Sequence, residues 1–145
     1  MKRMVLYAMI AVLAGSLYSC KSSRQPEQPK AETASDGLRD KQWKLVEIQG
    51  RPVTASEAHI LFNVDGTVSG SLGCNTFYGN YTALQESRIR FSNLSNTLKM
   101  CMDMTVEDDL KRALEIADSY QLTDRQLILT RARMAPLARF EVVSK

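Results

Sequence analysis

The positions of the three cysteines constrain this 145-residue chain more than any other feature of its sequence. Cys20 directly follows an apolar N-terminal stretch, whereas Cys74 and Cys101 lie far downstream in two short polar segments. The first segment, residues 73–81, reads Gly-Cys-Asn-Thr-Phe-Tyr-Gly-Asn-Tyr, and the second, residues 97–101, reads Thr-Leu-Lys-Met-Cys. This pattern suggests that Cys20 is a lipid anchor and that Cys74 and Cys101 form a pair.

The beginning of the chain has the pattern of a bacterial lipoprotein signal. Lys2 and Arg3 form a positive n-region, residues 4–15 are uncharged and mainly apolar, and the stretch ends in Cys20 as a lipobox does. A retained membrane helix is disfavoured because it would need ~20 apolar residues, and a plain secretory signal is the remaining alternative. We therefore expect residues 1–19 to be a signal peptide and Cys20 to be the lipidated N-terminus.

Residues 20–40 have the composition of a tether. They contain many Ser, Pro, Gln and Ala residues and almost no large apolar side chain, so they bury too little surface to fold. We expect a disordered, lipid-anchored tether that reaches on the order of 25 Å. Because Lys21 is not an aspartate, resemblance to sorted lipoproteins implies an outer-membrane location, and the absence of an acidic run after Cys20 favours the side facing the periplasm.

The remaining residues, 41–145, have the size of a single domain with one hydrophobic core. Removing Lys2 and Arg3 with the signal leaves 19 − 2 = 17 Lys and Arg residues against 16 Asp and Glu residues. This near-neutral balance gives no electrostatic reason to expect nucleic acid as a partner.

Alternating apolar residues in this domain predict a mainly β fold. Ile60, Phe62 and Val64 alternate on one face and are followed by Asp65-Gly66, a pair typical of a type I′ turn, so we predict a β-hairpin here. Further strands are predicted at residues 42–48, 77–83, 88–91, 126–130 and 137–143.

One α-helix is predicted after the last cysteine. Thr105 is a good N-cap residue, and the acidic residues 107–109 lie near the positive end of the helix dipole. Helix capping is favoured over a calcium or magnesium site because the acidic cluster lacks the alternating oxygen ligands of a metal-binding loop. An apolar stripe recurs at helical spacing, at Val106, Leu110, Ala113, Leu114 and Ala117.

Together these motifs resemble the META domain of the HslJ heat-shock lipoproteins. The resemblance rests on Trp43-x-Leu45, on the box at residues 73–81 and on the downstream Thr97 and Cys101, and it covers essentially the whole domain. It implies a small, antiparallel, barrel-like sheet with a helix packed across one end. It also implies an association with envelope stress and with tolerance of some antibiotics.

Cys74 and Cys101 are the candidate disulfide pair. In an oxidising compartment, a disulfide across the loop between them would stabilise the fold by about 3 to 4 kcal/mol on the chain-entropy model. Two buried free thiols are the alternative, and a zinc site would need more ligands than two sulfurs. His59 has the alternating neighbours of a strand residue, so we favour a surface imidazole over a catalytic base. We therefore expect no enzymatic activity, no metal and no cofactor.

Asn75, Tyr78 and Asn80 are the candidate contact surface. Asparagine commonly bonds to nearby backbone, so we favour a structural role for Asn75 over ligand recognition. If Phe77 points into the core, Tyr78 and Asn80 point outward, because strand side chains alternate. We predict an interaction module that binds an envelope protein or a cell-wall component. The alternative is a small-ligand or lipid carrier, which the bulky apolar residues of the domain disfavour because they would fill a small barrel.

Overall fold

A computed structural model describes residues 36–54, 56–85, 87–132 and 134–143. The predicted signal peptide, Cys20 and most of the predicted tether lie outside these residues. Among the helices of the described part, none is long and apolar enough to cross a membrane.

The described strands form one antiparallel sheet that closes on itself. They are β1 (Gln42–Ile48), β2 (Arg51–Pro52), β3 (His59–Phe62), β4 (Thr67–Ser71), β5 (Thr76–Leu84), β6 (Arg88–Asn96), β7 (Ser119–Leu122), β8 (Gln126–Thr130) and β9 (Ala138–Val142). Their order is β2-β1-β3-β4-β5-β6-β7-β8-β9, and β1 also pairs with β9. Eight strands therefore make a ring, to which the short β2 is attached. With one helix in the described residues, α1 (Thr105–Ile116), the predicted fold class is confirmed.

The hairpin of β3 and β4 forms where the sequence predicts it, but its turn differs. The Gly66 N–H donates to the carbonyl oxygen of Asn63 at 3.2 Å. Gly66 has a φ of +83°, whereas Asp65 is not among the residues with positive φ, and a type I′ turn requires positive φ at both positions. The loop is therefore longer than two residues. Val64 belongs to it and is exposed, instead of facing inward with Phe62.

Two glycines lie where neighbouring strands approach closely. A Cβ atom at Gly70 would meet the carbonyl oxygen of His59 at 2.0 Å, and one at Gly79 would meet that of Ser92 at 2.9 Å. Only glycine fits such a site without moving the backbone. Glycine at these two positions therefore allows the neighbouring strands to approach closely.

Large apolar side chains fill the interior of the ring. The Trp43 indole N–H donates to the carbonyl oxygen of Leu38 at 2.9 Å, so its polar atom is satisfied inside the core. The rings of Phe62 and Tyr81 meet edge to face with their centroids 4.9 Å apart. The same cluster includes Leu45, Ile60, Val68, Leu72, Phe77, Ile89, Leu127, Leu129 and Phe140.

Residues 36–40, which the sequence assigns to the tether, belong to the folded domain. Asp36–Leu38 form a single 3₁₀ turn, and Leu38 is fully buried. The Arg39 guanidinium donates to the Tyr81 hydroxyl at 3.2 Å. The predicted boundary at residue 41 is therefore too late, because the polar composition of the whole stretch hides one buried leucine.

The helix α1 begins one residue earlier than a Thr105 N-cap would require. Thr105 is its first residue, and the Thr105 backbone N–H donates to the carboxylate of Asp103 at 2.9 Å. Asp103 therefore supplies the capping oxygen, and this hydrogen bond lowers the pKa of its carboxyl group. The buried face of α1 contains Leu110, Ala113 and Leu114, in agreement with the predicted apolar stripe.

Candidate functional site

A disulfide joins Cys74 to Cys101. Cys74 lies in the loop between β4 and β5, and Cys101 lies in the stretch between β6 and α1, which we call the β6–α1 segment (residues 97–104). The predicted pairing is confirmed, and the alternative of two buried free thiols is wrong, since Cys101 is also exposed. The bond ties the β6–α1 segment to the sheet.

Asn75, next to Cys74, pairs every polar atom of its side chain. Its Oδ1 accepts hydrogen bonds from the Thr97 hydroxyl and the Lys99 backbone N–H, both at 2.7 Å. Its Nδ2 donates to the Lys99 carbonyl oxygen at 2.9 Å and to Oε1 of Glu107 at 2.8 Å. An amide side chain offers two acceptor sites and two donors, so all four are used.

Glu107 is a buried carboxylate that completes this arrangement. It is 4% exposed, and its Oε2 accepts the backbone N–H of Asn75 at 2.8 Å. Each of its two oxygens thus accepts an N–H group of Asn75, and the residue lies in the first turn of α1. The sequence predicts only a helix-capping charge here, because a partner 32 positions away leaves no local signal. We call Cys74, Asn75, Thr97, Cys101 and Glu107 the anchor cluster.

The anchor cluster holds a segment whose apolar side chains are in solvent. Leu98 is 91% exposed, Met100 is 97% exposed and Met102 is fully exposed. They alternate with Lys99, whose backbone N–H donates to Asn75, and with Cys101, whose sulfur is joined to Cys74. Leucine and methionine are usually buried. Their exposure is therefore unusual in a segment that is held by the hydrogen bonds of Lys99 and by the disulfide of Cys101.

Of the three residues predicted to form a contact surface, Asn75 is not accessible to a partner. Asn75 is 1% exposed and therefore cannot touch a partner. Tyr78 is 66% exposed, and Asn80 is also exposed on the same side of β5, as the alternation of strand side chains predicts.

Tyr78 and Asn80 belong to a patch of uncharged polar side chains that crosses three strands. Two rows of paired residues define it, and we call it the β4–β6 face: Ser69, Tyr78 and Ser95 in one row, and Thr67, Asn80 and Ser92 in the other. In the part of the chain that the structure describes, the Tyr78 hydroxyl and the Asn80 amide form no hydrogen bond with another residue. A shallow cleft of about 330 Å³ runs beside Tyr78.

The titratable groups of the described residues do not converge on one point. No three His, Cys, Asp or Glu side chains of residues 36–54, 56–85, 87–132 and 134–143 are grouped so that they could hold a metal ion. The Nδ1 atom of His59 lies 2.8 Å from the carbonyl oxygen of Glu57. A carbonyl only accepts, so this contact requires a proton on Nδ1.

Two larger clefts lie near the C-terminal end of α1. One, of about 500 Å³, is lined in part by Arg88, Arg90 and Asp118. Arg88 forms an ion pair with Asp118 at 3.6 Å, and a hydrogen bond from the Ala132 backbone N–H lowers the pKa of the Asp118 carboxyl. The other, of about 440 Å³, is lined mainly by apolar residues, among them Ile116, Met134, Pro136 and Leu137.

The ring-like sheet, the single described helix and the disulfide between Cys74 and Cys101 define a small, disulfide-stabilised β domain. The META domain family model matches residues 36–144. The chain therefore belongs to the META domain family.

Solved structures share this fold. One NMR structure is 24% identical with a TM-score of 0.58, and the match covers 74% of this chain and 91% of that chain. An NMR structure of a protein from Burkholderia xenovorans is 22% identical with a TM-score of 0.59, over 77% of this chain and 88% of that one. A crystal structure of a DUF4847 family protein from Bacteroides vulgatus is 16% identical with a TM-score of 0.57, over 74% and 94%. At these identities the likeness concerns the fold alone. No curated protein matches the chain.

Proposed function

We propose that this chain is a noncatalytic, lipid-anchored binding module of the bacterial cell envelope, and that its β4–β6 face binds a cell-wall glycan. The composition of that face is the observation that carries the proposal. Its neighbouring side chains are hydroxyl, amide and phenol groups, with no charge among them. A glycan offers hydroxyl groups that both donate and accept hydrogen bonds, as these side chains do.

Tyr78 is the centre of the proposed contact. Its ring is the large aromatic surface of the face, and sugar rings have apolar C–H faces that pack on aromatic rings. Ser69 and Ser95 flank it on the neighbouring strands. Neighbouring strands are roughly 4.8 Å apart, so both hydroxyl groups are within reach of substituents on a sugar stacked over Tyr78.

The proposed envelope location is supported by the predicted signal and by the disulfide. Lipidation of Cys20 would anchor the chain to a membrane, with the outer membrane facing the periplasm as the proposed site. The disulfide supports an oxidising compartment, because such bonds form and persist there. A tethered domain that binds the cell wall would connect wall and membrane, which suits the role in heat stress or antibiotic tolerance that the resemblance to HslJ implies.

A noncatalytic role is favoured by the state of the two paired cysteines. Cys74 and Cys101 are joined in the disulfide and offer no thiolate as a nucleophile. The proposal includes no metal and no cofactor.

Co-sedimentation with purified peptidoglycan tests the proposal. We expect the full chain in detergent to sediment with it, and Tyr78→Ala to weaken binding by at least about tenfold, equivalent to about 1.4 kcal/mol. Leu84→Ala is the matched control, because Leu84 is an exposed apolar residue of β5 outside the β4–β6 face. Equal binding by Tyr78→Ala and Leu84→Ala, or no sedimentation of the unaltered chain, would contradict the proposal.

A small-ligand or lipid carrier is the second candidate. The apolar cleft of about 440 Å³ favours it, since small-molecule sites span about 300–1,000 Å³. Because apolar side chains fill the ring, the ligand would bind in this outer cleft. One saturable site for a fluorescent fatty acid, lost in Met134→Lys, would support the carrier, and unsaturable binding would exclude it.

A further inference from the structure

Methionine is concentrated in the β6–α1 segment. The chain contains seven methionines, of which three occur in the first nine residues. Met100, Met102 and Met104 occupy alternate positions of one short stretch, and Met134 is the last. Core packing does not explain the concentration, because Met100 and Met102 are exposed.

The fold holds these three residues close together. Met100 and Met102 lie on either side of Cys101, whose sulfur is fixed by the disulfide. Met104 is half-buried and directly precedes α1. Residues two apart have Cα atoms no more than about 7 Å from each other, so Met102 lies within that distance of both Met100 and Met104. Methionine side chains are long, unbranched and flexible, so the three thioethers can turn toward one ion placed beside Met102.

We propose that Met100, Met102 and Met104 form a three-thioether site for a soft monovalent metal ion, Cu(I) or its redox-inert analogue Ag(I). Soft thioether ligands select Cu(I), whereas Mg²⁺ and Ca²⁺ prefer oxygen. A thioether has no proton to lose and forms no disulfide. Such a site therefore operates in an oxidising compartment, where the thiols of Cys74 and Cys101 are paired. The site uses none of the residues of the β4–β6 face.

The charges beside the site nearly balance. Asp103 lies between Met102 and Met104, and its carboxylate is engaged by the Thr105 N–H at 2.9 Å. It offers a negative charge near a bound cation, which opposes the positive charge of Lys99. The thioethers, and not a carboxylate, therefore decide which metal binds.

An apolar docking strip for another protein is the competing explanation of the exposed segment. The two explanations differ at Leu98, which is 91% exposed. A docking strip would include Leu98, whereas a leucine has no atom that binds a metal. Saturable Ag(I) binding that Leu98→Ala leaves intact is therefore expected of the metal site and not of a docking strip.

Silver titration of the full chain in detergent tests the site. The buffer contains nitrate in place of chloride and no thiol reductant, so that the disulfide stays closed. We expect saturable binding of one Ag(I) per chain, with methyl NMR signals of Met100, Met102 and Met104 shifting together and that of Met134 unchanged. Replacing the three methionines by leucine is expected to weaken binding by at least about tenfold, whereas Met134→Leu and Leu98→Ala leave it unchanged.

Three results would overturn the proposal. They are no saturable binding, an equal loss in Met134→Leu, and binding that appears only after the disulfide is reduced, which would indicate thiolate ligands. If the triple leucine variant does not fold, Met100→Gln with Met102→Gln replaces it, because both positions are exposed. Competition for Cu(I) against a coloured chelator in ascorbate then checks that copper binds the same residues.

Discussion

At the scale of single residues, Asn75 connects three parts of the chain. Its side chain bonds to the β6–α1 segment and to Glu107 in the first turn of α1, and its own backbone carbonyl accepts the N–H of Leu72 at 2.7 Å. The bonds to Glu107 are buried, and those to Thr97 and Lys99 are partly buried. Each polar group left unpaired in such a place costs about 1–3 kcal/mol, so the cluster depends on one asparagine.

Asn75→Ala should therefore be strongly destabilising. It leaves the Thr97 hydroxyl, the Lys99 backbone and one oxygen of Glu107 without their partner. We expect the free energy of unfolding to fall by about 3 kcal/mol or more in urea denaturation. Asn80→Ala, at an exposed asparagine of β5, is the control and should change it by less than about 0.5 kcal/mol. A loss below about 1 kcal/mol in Asn75→Ala would contradict the account.

Glu107→Gln tests the contact between Asn75 and Glu107 from the side of the carboxylate. Both Glu107 oxygens accept N–H groups of Asn75, and the glutamine NH₂ would oppose one of these donors. We expect a loss of about 1–3 kcal/mol in the free energy of unfolding. In a double-mutant cycle with Asn75→Ala, the two losses should be clearly non-additive. Additive losses would mean that the contact contributes little.

The sequence predicts some of these residue roles and not others. A structural role for Asn75 and the outward direction of Tyr78 follow from local rules, namely amide bonding to nearby backbone and strand alternation. The role of Glu107 does not, because its carboxylate has the same local pattern as its acidic neighbours. Only the path of the chain brings it to Asn75.

At the scale of elements, local patterns predict the strands better than the connections. The predicted β1 has the observed bounds, and the β3–β4 hairpin occurs where expected. The type I′ turn was wrong because Asp65 keeps a negative φ and its carboxylate accepts the Thr67 backbone N–H at 2.9 Å. β6 continues to Asn96, beyond the predicted end at residue 91. The residues after 91 are mostly polar and give no strand pattern, and the strand continues because it pairs with β5.

The disulfide is the connection between elements that is most directly testable. Replacing Cys74 and Cys101 together by serine removes a cross-link over a separation of 27 positions. The chain-entropy model gives a loss of about 3.5 kcal/mol. We expect a lower urea midpoint with an unchanged far-ultraviolet circular dichroism spectrum, since the hydrogen bonds of Asn75 remain. An unchanged midpoint would show that the bond does not stabilise the domain.

At the scale of the whole molecule, three aspartates link stability to pH. Hydrogen bonds from the Thr67 hydroxyl to Asp65, from the Thr105 N–H to Asp103 and from the Ala132 N–H to Asp118 lower the pKa of each carboxyl. Their folded-state pKa values thus lie below the unfolded value of about 3.9. Between the two values the unfolded chain binds more protons. This contribution to stability is therefore present above about pH 4 and is lost as the pH falls.

The variant with Asp65, Asp103 and Asp118 all changed to asparagine should show a weaker acid dependence. Urea unfolding from about pH 5.5 to about pH 2.5 measures it. We expect the stability of the unaltered protein to fall toward acid pH more steeply than that of the triple variant. Asp124→Asn, at an exposed position between β7 and β8, is the control. An equal slope in all three proteins would contradict the assignment.

Crosslinking in living cells tests the central claim, that the β4–β6 face binds a cell-wall glycan. A photoreactive residue replaces Ser95, which pairs with Tyr78 across β5 and β6 and leaves Tyr78 in place, and a second variant carries it at Asp124 on another part of the surface. After irradiation, the cell wall is extracted with boiling detergent and probed for the protein. We predict that the Ser95 variant remains in the insoluble wall and the Asp124 variant does not. Equal retention from both positions, or capture at Ser95 of a protein instead of the wall, would contradict the claim.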